Sequence, residues 1–445
     1  MRERLLNLAQ ALRLPDVRRR LVFVMLMFAV YVVCAHVPLP GVNREKMDQF
    51  FGQGGFGGFA DLINKFAGGS LRRFSVLALG IMPYINASII FQLLGIAVPA
   101  LEELQKEGEY GRKKIAQWTK YLTVALALLQ AMGMITLFQS YGGYMGNWSI
   151  KIFDIIMMTS GTMFLYWLGE QITDKGIGQG ISLLIFVGIM TSMPEDIAKT
   201  MALWKGHEIN VLNILFLMAI WLGMVYLVVV FQQAQRKIPV QYAKRVRGHR
   251  VFGGSSSFLP LRVNSAGVIP IIFAVSVLMF PGTIVNFLRS PAIVDGIAKI
   301  GIGRNAVLDA FGYIQRWSSP GASPIADVLY FILVIVFTYF YTTVTFNPEQ
   351  ISEDLQKNGG SVPGIRPGQA TRDYLDRILY RITLAGAIFL GFIAIVQHWV
   401  GPLTRVTTFS LVGGTSLLIV VGVALDTMQQ VEAQLLMREY KGFLD

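Results

Sequence analysis

Long apolar runs separated by short polar connections dominate the chain. A run of about 18 apolar residues is enough to cross the hydrocarbon of a bilayer as a helix. Ten such runs occur, at roughly 20–38, 74–98, 115–139, 150–169, 180–194, 211–232, 265–288, 325–346, 379–399 and 406–427, the fifth being short. In lipid every backbone N–H and C=O must be satisfied within its own segment, so the runs are predicted to be helices and an open sheet is excluded. The two-residue alternation of a membrane barrel is absent. The pattern predicts an all-α polytopic membrane protein with ten transmembrane helices.

The order of the runs adds organisation. Five precede the connection near 195–210 and five follow it. An odd-numbered half leaves two halves of opposite orientation, the arrangement of inverted repeats, although no residue-level repeat is visible. The expected organisation is an N-terminal amphipathic segment over 1–19, a first half over 20–205, a second half over 206–428 and a tail over 429–445. Arg18, Arg19 and Arg20 precede the first run as in a secretory signal, but HVPLPG follows it without a small-residue cleavage pattern. An uncleaved first span is expected, with residues 2–14 lying on the membrane surface.

Composition sharpens this picture. Of 445 residues, 53% are hydrophobic and 15% charged, against about 25% charged in an average globular domain. A soluble enzyme of this size needs more charged surface, and a disordered chain needs far less apolar content. The single cysteine, Cys34, closes no intrachain disulfide. The net charge is nevertheless +12. With the N-terminus on the cytoplasmic side, about 26 of the 39 Lys/Arg residues fall on inside segments, which predicts N-in and C-in.

The middle of every span lacks Asp, Glu, Lys and Arg. Asp154, Asp327, Asp426 and Lys120 fall near span ends, where snorkelling or solvent is expected to reach them, and His36 and His398 near the outer boundary. Ion-coupled transporters usually carry mid-membrane charge, so the pattern argues against that class. It contains no phosphate-binding loop, HExxH or nucleophile elbow, and no catalytic, cofactor-binding or metal-binding residue is expected. The second span, GIMPYINASIIFQLL, instead carries Pro83, Asn86, Ser88 and Gln92, with Gln130 of the third span as a candidate partner. Pro270, Phe280 and Pro281 lie in the seventh, GVIPIIFAVSVLMFP. Such residues act either as ordinary helix glue and kinks or as an interface that opens, held by modest uncharged contacts.

Two inside loops stand out, Gln233–Val263 with RKIPVQYAKRVRGHR and Asn347–Asp376 with GGSVPGIRPG. Outside, GQGGFGG, FADLINKF and AGGS precede the second span. The eight-residue piece is too short to cross a bilayer, which leaves a re-entrant half-helix or a flexible external loop.

The segments GIMPYINASIIFQLL, RKIPVQYAKR, LPLRVNSAGVIPIIFA, FNPEQISEDLQKNGGSVPGIRPG and GGTSLLIVVGVALDT, in order along the chain, resemble the bacterial SecY family, the channel-forming subunit of the general protein translocase. GGSSSFLP and Ser361 depart from that family's usual pattern in the inside loops. The resemblance implies two five-helix halves around an hourglass pore that opens sideways between the second and seventh spans. The lateral gate would then be Pro83, Asn86, Ser88, Gln92, Gln130 and Phe280. It implies a pore ring of Ile81, Ile85, Ile185, Ile189, Ile272 and Ile419, which sequence alone reads as ordinary membrane aliphatics. It also implies a plug over Phe59, Ala60, Asp61, Leu62, Ile63, Asn64, Lys65, Phe66 and Ala67, with flanking glycines as a hinge. The basic loops would meet the ribosome, through RNA phosphates, and the motor ATPase SecA, through Arg236, Lys237, Lys244, Arg245, Arg250 and above all Arg366. SecE-like and SecG-like small membrane subunits, signal sequences, nascent chains and the lipid bilayer complete the implied partners, in a bacterial plasma membrane. The implied function is a passive channel that translocates unfolded secretory polypeptides and releases transmembrane helices into lipid, without covalent chemistry of its own. A secondary transporter or lipid-linked sugar flippase would instead show buried charge or a substrate-sized polar cavity, and a membrane scaffold would need neither plug nor polar gate.

Overall fold

The computed structural model describes residues 14–43, 46, 64, 67–140, 142–242, 245–247, 250–252, 256–288, 304–404, 406 and 414–441. The helices are α1 Pro15–Ala35, α2 Met82–Ala97, α3 Pro99–Lys106, α4 Glu109–Ser140, α5 Trp148–Lys175, α6 Gly180–Lys205, α7 Val211–Gln233, α8 Ile269–Leu288, α9 Arg304–Ser318, α10 Pro324–Thr345, α11 Pro348–Lys357, α12 Gln369–Thr404 and α13 Gly414–Lys441. Seven are long and apolar enough to cross a membrane, and an eighth span results when α2 and α3, bent by 103°, count as one. With α1 and α8 they match the ten apolar runs one for one. The protein is a multi-pass helical membrane protein.

Local chemistry sets several helix starts. Proline occupies the first or second position of α1, α2, α3, α10 and α11, where its missing N–H would have been unpaired anyway. Ser323 caps α10 by accepting from Ala326 N at 3.2 Å, and Asn347 caps α11 by accepting from Glu349 N at 3.1 Å.

The first five long helices and the last five pack mainly among themselves. In the first group α5 touches α1, α2, α4 and α6, and in the second α12 touches α7, α8, α10 and α13. The principal contacts between the groups are α6 with α13 and α4 with α8. Gly178 N, just ahead of α6, donates to Gln430 Oε1 of α13 at 2.9 Å. One large core cluster runs through both groups, from Val24 and Leu165 to Leu390 and Leu418.

Four features differ from the sequence reading. The second span begins at Met82, not 74, because residues 67–81 run as turns. Phe74 (φ 48°) and Gly80 (φ 58°) take left-handed backbone that a helix cannot hold. The fifth span is not short: α6 continues through Pro194 to Lys205. Pro83 and Pro270 do not kink helix interiors, since each lies at the second position of its helix, α2 or α8, whereas Pro281 does lie inside α8. Finally, the loop after α7 is a ribbon. β1 Gln235–Tyr242 pairs antiparallel with β4 Ser256–Arg262, Ile238 opposite Leu259, and with β5 Gly360–Ser361 on its other edge. A short β2 Arg245–Arg247 pairs with β3 Arg250–Phe252.

Candidate functional site

The site is built around the start of α2. Ahead of it, the turns over 67–81 pack deeply: Leu71, Phe74, Leu77 and Ala78 are all buried. α5 grips these turns. Thr162 Oγ1 donates to Gly80 O at 3.3 Å. A Cβ on Gly161 would lie 2.1 Å from Val76 O, so only glycine allows this approach.

Ile81 and Ile85 flank this junction, one helical turn apart. Together with Ile185 and Ile189, one turn apart on α6, and Ile419 on α13, they belong to one apolar cluster. Ile272 of α8 borders a small cavity that Ile419 also lines, with Val268, Ile271, Val275, Tyr330 and Thr415. Five of the six isoleucines thus share the one large core cluster, and Ile272 joins Ile419 at the lining of the cavity. Aliphatic side chains from several helices can exclude water by dewetting and still deform around a passing segment. Only the four-residue spacing of Ile81 with Ile85, and of Ile185 with Ile189, is visible in the sequence alone.

Asn86, Ser88 and Gln92 are half-buried on α2, Pro83 is buried, and Gln130 is half-buried on α4. Gln92 Nε2 donates to Ser88 Oγ at 3.3 Å, one turn back on its own helix. Among the described residues no hydrogen bond joins Gln130 to Asn86 or Gln92, so the expected cross-helix partnership does not form. Phe280 lies in α8, and its side chain is outside the described residues.

Of the plug residues, Phe59, Ala60, Asp61, Leu62, Ile63, Lys65 and Phe66 lie outside the described residues. Asn64 and Ala67 are described. Asn64 O accepts from Gly69 N at 2.7 Å, and Asn64 Oδ1 accepts from Arg72 N at 2.9 Å. Gly68 (φ 65°) fits a slot: a Cβ there would lie 2.6 Å from Thr191 Oγ1 and 2.8 Å from the Tyr31 hydroxyl. Gly68 therefore serves close packing, whereas a Cβ on Gly69 would meet only the Arg73 side chain, at 3.6 Å.

Asp154, Asp327 and Lys120 are more enclosed than expected, whereas Asp426 is not. Asp154 is fully buried instead of reaching solvent, and accepts from the Tyr144 hydroxyl at 2.8 Å. Burial, reinforced by that hydrogen bond, raises the Tyr144 phenol above its ordinary value. Lys120 does not simply snorkel; its Nζ lies 3.0 Å from Glu170 Oε1. His398 Nδ1 lies 2.9 Å from Asp327 Oδ1, joining α12 to α10. Asp426 is largely exposed, 3.8 Å from Arg262, and His36 Nδ1 faces Val32 O at 2.8 Å. Glu170 and Glu195 carry no sequence signal beyond their charge.

The two basic loops form one module. Ile238 and Val240 of β1 point inward, and Ile238 shares a cluster with Leu261, Val362, Leu375 and Ile378. Arg236 and Lys237 are exposed on β1. Lys244 and the side chains of Arg245 and Arg250 lie outside the described residues. Arg366 is exposed at a turn between Gly364 (φ 81°) and Gly368 (φ 98°), and its carbonyl accepts from Thr371 Oγ1 at 2.9 Å. Among the described residues no group of three or more His, Cys, Asp or Glu side chains is placed to hold a metal ion.

Solved channel structures share this polytopic helical fold. The structure described as a protein-conducting channel superposes with TM-score 0.61 at 20% identity, over 92% of this chain and 91% of its own. The one described as Sec61 in the canine ribosome-channel complex from the endoplasmic reticulum gives 0.57 at 19% identity, over 92% and 90%.

The family model described as SecY matches residues 75–428. The protein translocase subunit SecY of Halalkalibacterium halodurans is 45% identical, covering 98% of this chain and 99% of its own length. Those of Streptomyces galbus (42%; 98% and 99%) and Vibrio cholerae (41%; 97% and 94%) are similar. The chain belongs to the SecY family.

Proposed function

We propose that this chain is the protein-conducting channel of a bacterial plasma membrane, passing unfolded secretory polypeptides outward and releasing transmembrane helices sideways into lipid. The observation that carries the reading is that Ile81, Ile85, Ile185, Ile189 and Ile419 share the core cluster that runs through both helix groups, with Ile272 and Ile419 lining the same small cavity. In this reading the six side chains form the pore ring. The polar residues Asn86, Ser88, Gln92 and Gln130, with Pro83 and Phe280, belong to a lateral gate between α2 and α8, and residues 59–67 form a plug. A signal sequence, itself an apolar helix, displaces modest polar contacts and shifts the gate by differential affinity. Both termini are cytoplasmic, by the excess of Lys/Arg on that side.

The chain performs no covalent chemistry, so energy comes from partners. Arg236, Lys237, Lys244, Arg245, Arg250 and Arg366 are its contacts for the SecA motor and the ribosome, and SecE-like and SecG-like subunits stand beside it. The likeness to a channel described in a ribosome complex supports the ribosome contact. The deciding experiment reconstitutes the chain with those small subunits, the motor, ATP and a signal-bearing precursor. Protease-protected precursor is the expected product, and its absence with a competent motor would overturn the reading.

A further inference from the structure

α5 presents Thr162, Tyr166 and Glu170 at four-residue spacing, which puts all three on one helix face. That face meets the start of α2. Thr162 holds the Gly80 carbonyl. The Tyr166 ring, almost fully buried, lies 4.9 Å from the Tyr84 ring, centroid to centroid, at 40°. The Tyr166 hydroxyl donates to Glu170 Oε1. Lys120 of α4 closes the set: its Nζ is 3.0 Å from Glu170 Oε1, 3.3 Å from Oε2 and 5.0 Å from the centre of the Tyr166 ring.

Tyr84 sits between Pro83 and Ile85. A ring seated on Tyr166 fixes the rotation of the first turn of α2, and that rotation sets where Ile81 and Ile85 point. An offset aromatic pair with centroids at this distance is attractive beyond its buried area. A carboxylate acceptor holds a phenol more firmly than a neutral one does. An ammonium that both pairs with the carboxylate and lies over the ring locks the acceptor in turn.

We propose that Glu170 is a positioning residue of the gate: clamped by Lys120, it holds the Tyr166 hydroxyl, and Tyr166 seats Tyr84 so that α2 keeps the closed rotation. This deepens the channel reading and rests on it. Glu170 is not among the residues of the proposed pore ring. It acts through two aromatic side chains, and its loss releases α2 toward the open state.

The test uses the reconstituted complex with two precursors, one with an intact signal and one with a weakened signal. Glu170→Gln and Tyr166→Phe are expected to raise export of the weak-signal precursor relative to the intact one by about threefold. Glu170→Asp and Lys120→Arg should stay near the unaltered ratio. Tyr84→Phe, which keeps the ring, should do the same, whereas Tyr84→Leu should behave like Glu170→Gln. A purely structural role predicts lower yield with an unchanged ratio. An unchanged ratio in assembled Glu170→Gln and Tyr166→Phe overturns the proposal, as does Tyr84→Phe acting as strongly as Tyr84→Leu. Should Tyr166→Phe fail to assemble, Lys120→Met reads the same clamp, and an unchanged ratio there also counts against it. Absence of export of the intact-signal precursor by the unaltered chain would overturn the channel reading itself, and this proposal with it.

Discussion

Arg72 Nη1 donates to Glu195 Oε1 at 2.9 Å, tying the turns ahead of α2 to the C-terminal part of α6. Lys199 Nζ lies 3.0 Å from the same carboxylate oxygen, and Arg73 Nη2 3.9 Å from the other. One carboxylate thus stands among three cations. Both Arg72 and Glu195 are about one-third exposed, so neutralising either should cost about 1 kcal/mol or less. Reversal is different, because Glu195→Lys gathers four cations. It should lower the thermal midpoint of the detergent-solubilised complex by several times the shift of Glu195→Gln, and Arg72→Glu with Glu195→Arg should recover most of the loss. Equal midpoints for the Gln and Lys variants would show that the pair holds nothing.

The isoleucine cluster makes a prediction about wetting. Asparagine in place of Ile189 or Ile419 puts an amide among apolar neighbours and lowers the cost of hydrating the constriction. Ion leak through idle channels in planar bilayers should rise about tenfold or more, and Ile→Leu should leave it near its starting level. Removing residues 59–67 should also raise leak, by unblocking instead of wetting, so the two changes together should exceed either alone.

Arg366 projects from a turn whose shape is set by Gly364 and Gly368, and its side chain is exposed. Reversal to glutamate therefore leaves the fold alone. Motor-driven export should fall to background while assembly and thermal midpoint stay unchanged, and a normal export rate would remove Arg366 from the motor contact.

Tyr144 gives a pH prediction. Burial, and then its hydrogen bond to Asp154, raise its phenol above the ordinary value of about 10. The folded state therefore holds this proton more tightly than the unfolded chain does. The stability involved is fully present below pH about 10 and is lost as pH rises beyond it. Tyr144→Phe should flatten that alkaline loss and, by leaving buried Asp154 without its donor, cost about 1–3 kcal/mol at neutral pH. Thermal midpoints measured across that range would show whether the slope belongs to Tyr144.

Hydropathy located every long helix because backbone satisfaction in lipid leaves no alternative to one. It misplaced the start of α2 because SVLALGIM is as apolar as a helix, while the left-handed angles at Phe74 and Gly80 are invisible to hydropathy. The ribbon was legible in part: Ile238 and Val240 alternate with Lys237, Pro239 and Gln241, but surrounding basic residues drew the segment toward a docking loop. The ring residues came from family resemblance, since an isoleucine at a constriction and one facing lipid look alike in a single sequence. Asp154 was misjudged because distance along the chain from a span end says nothing about a tyrosine folding over it.

The 103° turn between α2 and α3 limits how the gate can move. α3 carries exposed Glu102 and Glu103 beside half-buried Leu101 and Leu104, a pattern suited to lying flat at the membrane surface. Sliding α2 along the membrane normal would drag those charges toward hydrocarbon, where charge is expensive. Rotation and sideways tilt carry no such penalty. A short surface helix thus removes one degree of freedom from its neighbour and leaves it those that open a seam toward lipid.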